Sequence, residues 1–175
     1  MWRWLPVVSV LATVPSIHSV ARAQAYQPTY ARATGPQLVA VYISSSWCVG
    51  NRAPGLHDAI DSLKVMLSRR AQASGRQFRM VGVALDWAPD SGVAYLRGFG
   101  AFDEVVAGMN WINAAAERFI WADSAGQPNI PQVVVYEQTI APGAGRITFG
   151  PPVVLARIHG GDIIVNWVHD GAPIP

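Results

Sequence analysis

Leu38-Val39-Ala40-Val41-Tyr42-Ile43-Ser44-Ser45-Ser46-Trp47-Cys48-Val49-Gly50-Asn51 is the stretch whose reading decides the fold. Its first six residues are apolar without alternation and rich in β-branched side chains, the mark of a strand buried on both faces. Small and polar residues then break the run. From Leu56 onward, Ile60, Leu63, Leu67 and Ala71 recur at helical spacing, with Asp58, Asp61, Lys64 and Arg69 assigned to the opposite, solvated face and Gly75 as the stop. The unit is therefore strand, loop, amphipathic helix.

Working outward, residues 78–85 form a second apolar strand ending at Asp86-Trp87, and Pro89-Asp90-Ser91-Gly92 reads as a turn before a short helix over 93–99. Val105-Val106 is a brief strand, and residues 113–121 hold good helix formers. A third strong strand covers 132–136. Two more, over 146–149 and 153–158, flank the Pro151-Pro152 break, and their close spacing predicts an antiparallel hairpin. After the Gly160-Gly161 turn, Asp162 is expected to cap a final short helix. Strands alternating with helices give an α/β fold, a central mixed sheet flanked by helices.

The N-terminus has the three parts of a secretory signal peptide: Arg3 among the first four residues, a mostly apolar stretch, and Ala21-Arg22-Ala23-Gln24-Ala25 as the small-x-small site. Pro6, Pro15 and His18 interrupt the apolar stretch, which falls short of the ~20 residues a spanning helix requires. The expected organisation is a leader at 1–25, a loose lead-in at 26–36 and one domain at 37–175, exported to the periplasm or beyond the cell with no stable membrane span. Cleavage after Ala25 removes Arg3 and Arg22 from the 13 basic residues and nothing from the 11 acidic ones, so the mature chain is neutral. Without excess positive charge to displace counterions from phosphates, a nucleic-acid partner is not expected.

Cys48 is the only cysteine of the 175 residues, which excludes an internal disulfide, a cysteine-based zinc cluster and an iron–sulfur centre. His57, His159 and His169 lack metal-ligand spacing, so neither a metal nor a cofactor is expected. The thiol lies where a buried strand ends and a helix is about to begin. Unpaired backbone N–H groups and the helix dipole at such a junction favour thiolate, and Arg52 would add to this. An accessible, nucleophilic Cys48 is the resulting expectation; a buried and inert thiol is the alternative.

These residues resemble the thioredoxin-like superfamily. The resemblance rests on the strand at 38–43, on Trp47-Cys48-Val49-Gly50-Asn51 in place of Trp-Cys-x-x-Cys, on the helix that follows, on the strand at 78–85, and on Ile130-Pro131-Gln132 ahead of the third strand. It implies a cis-proline at Pro131 facing Cys48, and the segment between Asp86 and Trp121 looks like the insertion of secreted members that serve cytochrome maturation. Asn51 occupies the place of the second cysteine, so the dithiol cycle cannot run within one chain. Tyr42 stands where dithiol members often carry a buried acid, and Pro54 falls nearer the cysteine than the family's helix proline.

Two functions follow. In the first, Cys48 performs monothiol thiol–disulfide exchange on protein thiols or disulfides, and an external thiol resolves the mixed disulfide. Trp47 and Ile130-Pro131-Gln132 form the docking surface, and Asn51 hydrogen-bonds the sulfur. In the second, the domain has kept the fold as a redox-inactive binding or scaffold module.

Overall fold

The computed structural model describes residues 25–28, 34–122 and 125–175. The leader expected over 1–25 lies outside the described residues apart from Ala25. Strand β1 (Gly35–Ser44) carries the decisive run, and it alternates in three dimensions. Leu38, Ala40 and Tyr42 face one core, while Val39, Val41 and Ile43 face a second, all of them essentially inaccessible. A strand buried on both faces needs no polar side, which is why its sequence shows no period of two.

Helix α1 (Leu56–Ala73) crosses back to strand β2 (Gln77–Ala84), which pairs parallel to β1 with Val41 opposite Val81. Between β2 and the next central strand lie helix α2 (Pro89–Arg97), strand β3 (Glu104–Ala107), parallel to β2, and α3 (Ala114–Ala116), whose chain continues as a π-helical turn, Glu117–Trp121. Strand β4 (Gln132–Gly143) then runs antiparallel along β1, flanked by β5 (Arg146–Phe149) and β6 (Val153–His159), and α4 (Gly161–His169) closes the chain. The strand order is β3-β2-β1-β4-β5, with β6 also on β4. The sheet is mixed, six-stranded and flanked by helices, as the sequence predicts. Helices α1 and α4 cover the first face through Leu56, Ile60, Leu63, Leu67, Ile164 and Val168, and α3 with the π-helical turn after it covers the second through Ala115, Ala116 and Ile120. Among the described residues no helix is long and apolar enough to cross a membrane.

Several sequence expectations are corrected. The strands at 146–149 and 153–158, expected to form an antiparallel hairpin, each pair antiparallel with β4 instead. Lys64, assigned to the solvated face of α1, is fully buried. Its stem adds to the core, and its ammonium avoids an unpaired burial costing several kcal/mol by donating to the Phe99 carbonyl and, at 3.0 Å, to Asp61, with the Phe102 ring 4.4 Å away. Burial lowers the Lys64 pKa below the ordinary lysine value, and Asp61 acts in the opposite direction. Helix α2 begins at Pro89, not after it, because proline has no N–H to lose in a first turn. Asp162 lies in the first turn of α4 while Gly160, at φ +91°, takes the cap. The 26–36 stretch contains the start of β1, and Tyr26 packs edge-on against Phe78 and donates to the Asp103 carboxylate.

Candidate functional site

The carboxyl end of β1 delivers Cys48 into a tight turn in which its N–H donates to the Ser45 carbonyl at 3.2 Å. Cys48 then caps one 3₁₀ turn, Val49–Arg52, and the Asn51 N–H returns to the Cys48 carbonyl at 3.2 Å. The long helix does not start there. Ala53, Pro54 and Gly55, the last at φ +79°, interpose a break, and α1 begins at Leu56. The expected placement of the thiol at the amino end of this helix is therefore corrected: the dipole effect is confined to a helix's first turn, and Cys48 lies eight residues upstream.

Cys48 is 9% exposed, so the sulfur is nearly enclosed. Its S–H donates to the Ile130 carbonyl at 3.2 Å. The Ile130–Pro131 peptide is cis. Three backbone segments meet around this contact. A Cβ on Gly50 would stand 2.5 Å from Pro131 Cδ and 3.6 Å from Cys48 Sγ, so only glycine lets the turn lie on the proline ring. Gly160 N–H donates to the Pro131 carbonyl at 2.8 Å, and Gly161 packs so closely on the Gly50 carbonyl and Ala53 that a side chain there has no room. Trp47 and Val49, flanking the thiol, are 52% and 72% exposed and form an apolar rim at the mouth of the site.

Behind the turn is a polar cluster. Ser44 Oγ donates to Asn51 Oδ1 at 2.7 Å, Tyr42 O–H reaches the same oxygen at 3.3 Å, and Asn51 Nδ2 donates to the Ser45 carbonyl. The carboxamide thus ties the 3₁₀ turn to the end of β1, where the sequence reading had it bonding the sulfur. The Tyr42 and Tyr95 hydroxyls are 3.0 Å apart. Burial, reinforced by the neighbouring Tyr95, pushes the Tyr42 phenol well above its ordinary value, and burial pushes Tyr95 up to about 12. Both stay neutral at physiological pH and serve the cluster as hydroxyl groups, which a carboxylate in place of Tyr42 would not do.

Asp86, 4% exposed at the end of β2, accepts from the Ser46 backbone N–H at 3.1 Å and from the Ser46 hydroxyl. It fixes the residue before Trp47 from the opposite side of the loop. In the sequence Asp86 reads as a strand-end turn acid that could approach the site, and nothing there points to Tyr95, which lies in a helix remote in sequence. Gly50 carried a signal that was passed over: a glycine two residues past the only cysteine.

The other expected site residues divide. Ile130 is half-buried and Pro131 buried beside the thiol, while Arg52 is exposed at the far end of the 3₁₀ turn. Gln132, expected on a docking surface, is wholly inaccessible. Its Nε2 donates to the Gln127 and Asn129 carbonyls at 3.2 and 2.9 Å, and its Oε1 accepts from Arg157 at 3.1 Å, so it shapes the loop ahead of Pro131 from within. His57 packs edge-on against Phe99, 4.1 Å between ring centroids, and among the described residues no three His, Cys, Asp or Glu side chains are grouped to hold a metal.

No family model matches the sequence, and no curated protein matches it. Among solved structures the chain is similar to a thiol-disulfide oxidoreductase from Bacteroides fragilis NCTC 9343, at 17% identity over 77% of this chain and 80% of that one, with a TM-score of 0.45. It is also similar to a thioredoxin-family thiol:disulfide interchange protein from Chlorobium tepidum TLS, at 19% identity over 75% and 79% of the two chains, TM-score 0.40. Yeast Sco1 with copper bound aligns at 12% identity over 77% of each chain, TM-score 0.37.

Proposed function

We propose that this protein is an exported monothiol thiol–disulfide exchange protein acting through Cys48. The observation that carries the proposal is the seating of a lone thiol against the Ile130-Pro131 segment at the end of a central strand, with an asparagine in place of a second cysteine. The Cys48 thiolate attacks one sulfur of a substrate disulfide, forming a mixed disulfide and releasing the other sulfur as a thiolate that takes up a proton. An external thiolate, from a small thiol or another protein, then attacks the substrate sulfur, forms a new disulfide with it and returns Cys48 to the thiolate. The pair of electrons that leaves with each sulfur is matched by the pair that arrives with each attacking thiolate. Trp47 and Ile130 provide the apolar surface against which the substrate docks.

The near-complete burial of Cys48 favours the second reading, a redox-inactive scaffold. One measurement separates the two. Under native conditions, exchange with a small aromatic disulfide reporter is expected to be faster than for a free thiol in a model peptide, and to vanish in Cys48→Ser. A native rate no greater than that of the unfolded chain would leave the scaffold reading standing.

A further inference from the structure

The second face of the sheet is covered unevenly. Among the described residues, α3 and the π-helical turn Glu117–Trp121 lie over it with Trp111 and Ile130 at the side, and beside them the chain leaves two adjoining cavities of about 240 and 190 Å³. Arg118, Phe119 and Tyr136 line both. The larger is otherwise walled by apolar side chains, among them Val134, Pro152 and Val154, and the smaller reaches Arg79 and Glu104.

Three polar groups of these walls are incompletely satisfied by the fold. Tyr136 is 1% exposed, yet its hydroxyl has no hydrogen-bond partner, and Arg79 Nε is likewise buried without one. An unpaired buried donor of this kind is disfavoured in a finished core. Arg118 stacks its guanidinium over the Phe119 and Tyr136 rings, 5.0 and 5.6 Å from their centroids, and its one long hydrogen bond, 3.4 Å to Gln138, leaves most of its donors for another acceptor. Arg79 approaches Glu104 no closer than 3.6 Å. The backbone is irregular on both sides: π-helical at Arg118 and Phe119, and shifted in register between Val135 and Tyr136 where β4 meets β6. Both kinds of irregularity re-aim side chains and occur preferentially near binding sites.

We infer that this double cavity binds a small aromatic carboxylate. Two guanidinium groups against one carboxylate give the walls a net positive charge, and the fork of Arg118 matches a carboxylate's two oxygens. The phenolic O–H of Tyr136 and the Arg79 Nε–H are the remaining donors to that anion. The apolar compartment takes the ring: a cavity of about 150 Å³ already holds benzene, and the larger cavity here is about 240 Å³. The facing Phe119 and Tyr136 rings, 5.8 Å apart, add stacking surfaces.

Benzoate is the probe, and benzamide is its uncharged isostere. Titration of the purified protein by calorimetry, with amide resonances near Phe119 and Tyr136 followed in parallel, is expected to show saturable 1:1 binding of benzoate with a Kd below about 10 mM. Benzamide is expected to bind roughly tenfold more weakly or not at all, and Arg118→Gln, which alters an exposed side chain, to weaken benzoate by a similar factor. Tyr136→Phe is expected to weaken benzoate while unfolding at the same temperature as the parent or higher, since it removes a hydroxyl without a partner. Absence of saturable binding, equal affinity for benzamide, an unchanged Arg118→Gln, or a lower unfolding temperature for Tyr136→Phe overturns the inference.

Discussion

The sulfhydryl of Cys48 and the carbonyl of Ile130 meet at 3.2 Å across 82 residues of sequence. That contact joins the turn after the central strand to the segment before β4. A thiol is a weak donor, so the bond is easily exchanged for a better partner. On the proposed exchange function, a substrate that docks on Trp47 and Ile130 and takes up the Ile130 carbonyl would release the thiol from it, so that binding and uncovering of the sulfur would be one event.

Gly50→Ala tests how tightly the turn must lie on Pro131. The added methyl would stand 2.5 Å from the proline ring, well inside contact distance, and the turn is itself pinned from behind by Gly161. It cannot retreat. Overpacking of this kind costs typically 1–3 kcal/mol, and it moves Sγ away from Ile130. Urea unfolding is expected to show a loss of about 1–3 kcal/mol, together with a changed exchange rate at Cys48. A variant as stable and as reactive as the parent would mean that the turn has slack the packing does not show.

Asn51 lies three residues past Cys48 in the 3₁₀ turn, and its carboxamide is committed to Ser44, Ser45 and Tyr42. In Asn51→Ala the Ser44 hydroxyl and the Ser45 carbonyl, both belonging to buried residues, lose a partner together. A loss of about 1–3 kcal/mol is expected in denaturant titration, with the Cys48 thiol becoming more accessible to a small disulfide as the turn loosens. Unaltered stability and unaltered reactivity would reduce the cluster to chance proximity.

The strand 38–43 and the helix from Leu56 were legible because burial on two faces and burial on one stripe each leave a different period in the sequence, whereas close spacing alone did not reveal that the strands at 146–149 and 153–158 each pair with β4. Cys48 was legible because it has no competitor. What could not be read were the relations that arise only when distant elements touch. The burial of Lys64 depends on the Phe99 carbonyl and the Phe102 ring, more than thirty residues away, and a periodicity that scores lysine as polar must place it in solvent. The same holds for Gln132: glutamine before a strand reads as surface, yet three partners from two other segments make it an interior brace. The thiol's position arises in this way too, since it is held against the Ile130 carbonyl, 82 residues away in sequence.

The two neutral phenols predict a specific loss of stability in alkali. Tyr42 and Tyr95 have folded-state values above the ordinary 10.0, with Tyr95 near 12, because burial penalises the phenolate. Below pH 10 both phenols are protonated whether the chain is folded or not, and they impose no pH dependence. Between pH 10 and about 12 the unfolded chain releases these protons while the folded chain retains them, so the unfolded state gains and stability falls. Lys64 works in the opposite sense: its lowered value makes stability rise with pH, and that contribution is complete by the ordinary lysine value of 10.5. Urea midpoints are therefore expected to decline above pH 10.5, and the decline to be shallower in Tyr95→Phe, which keeps the ring against Phe99 and removes one ionisation. Tyrosinate absorbance above pH 10 should show these two groups ionising in step with unfolding. If Tyr95→Phe lost stability as steeply as the parent over that range, the Tyr42–Tyr95 pair would not be the origin of the alkaline transition.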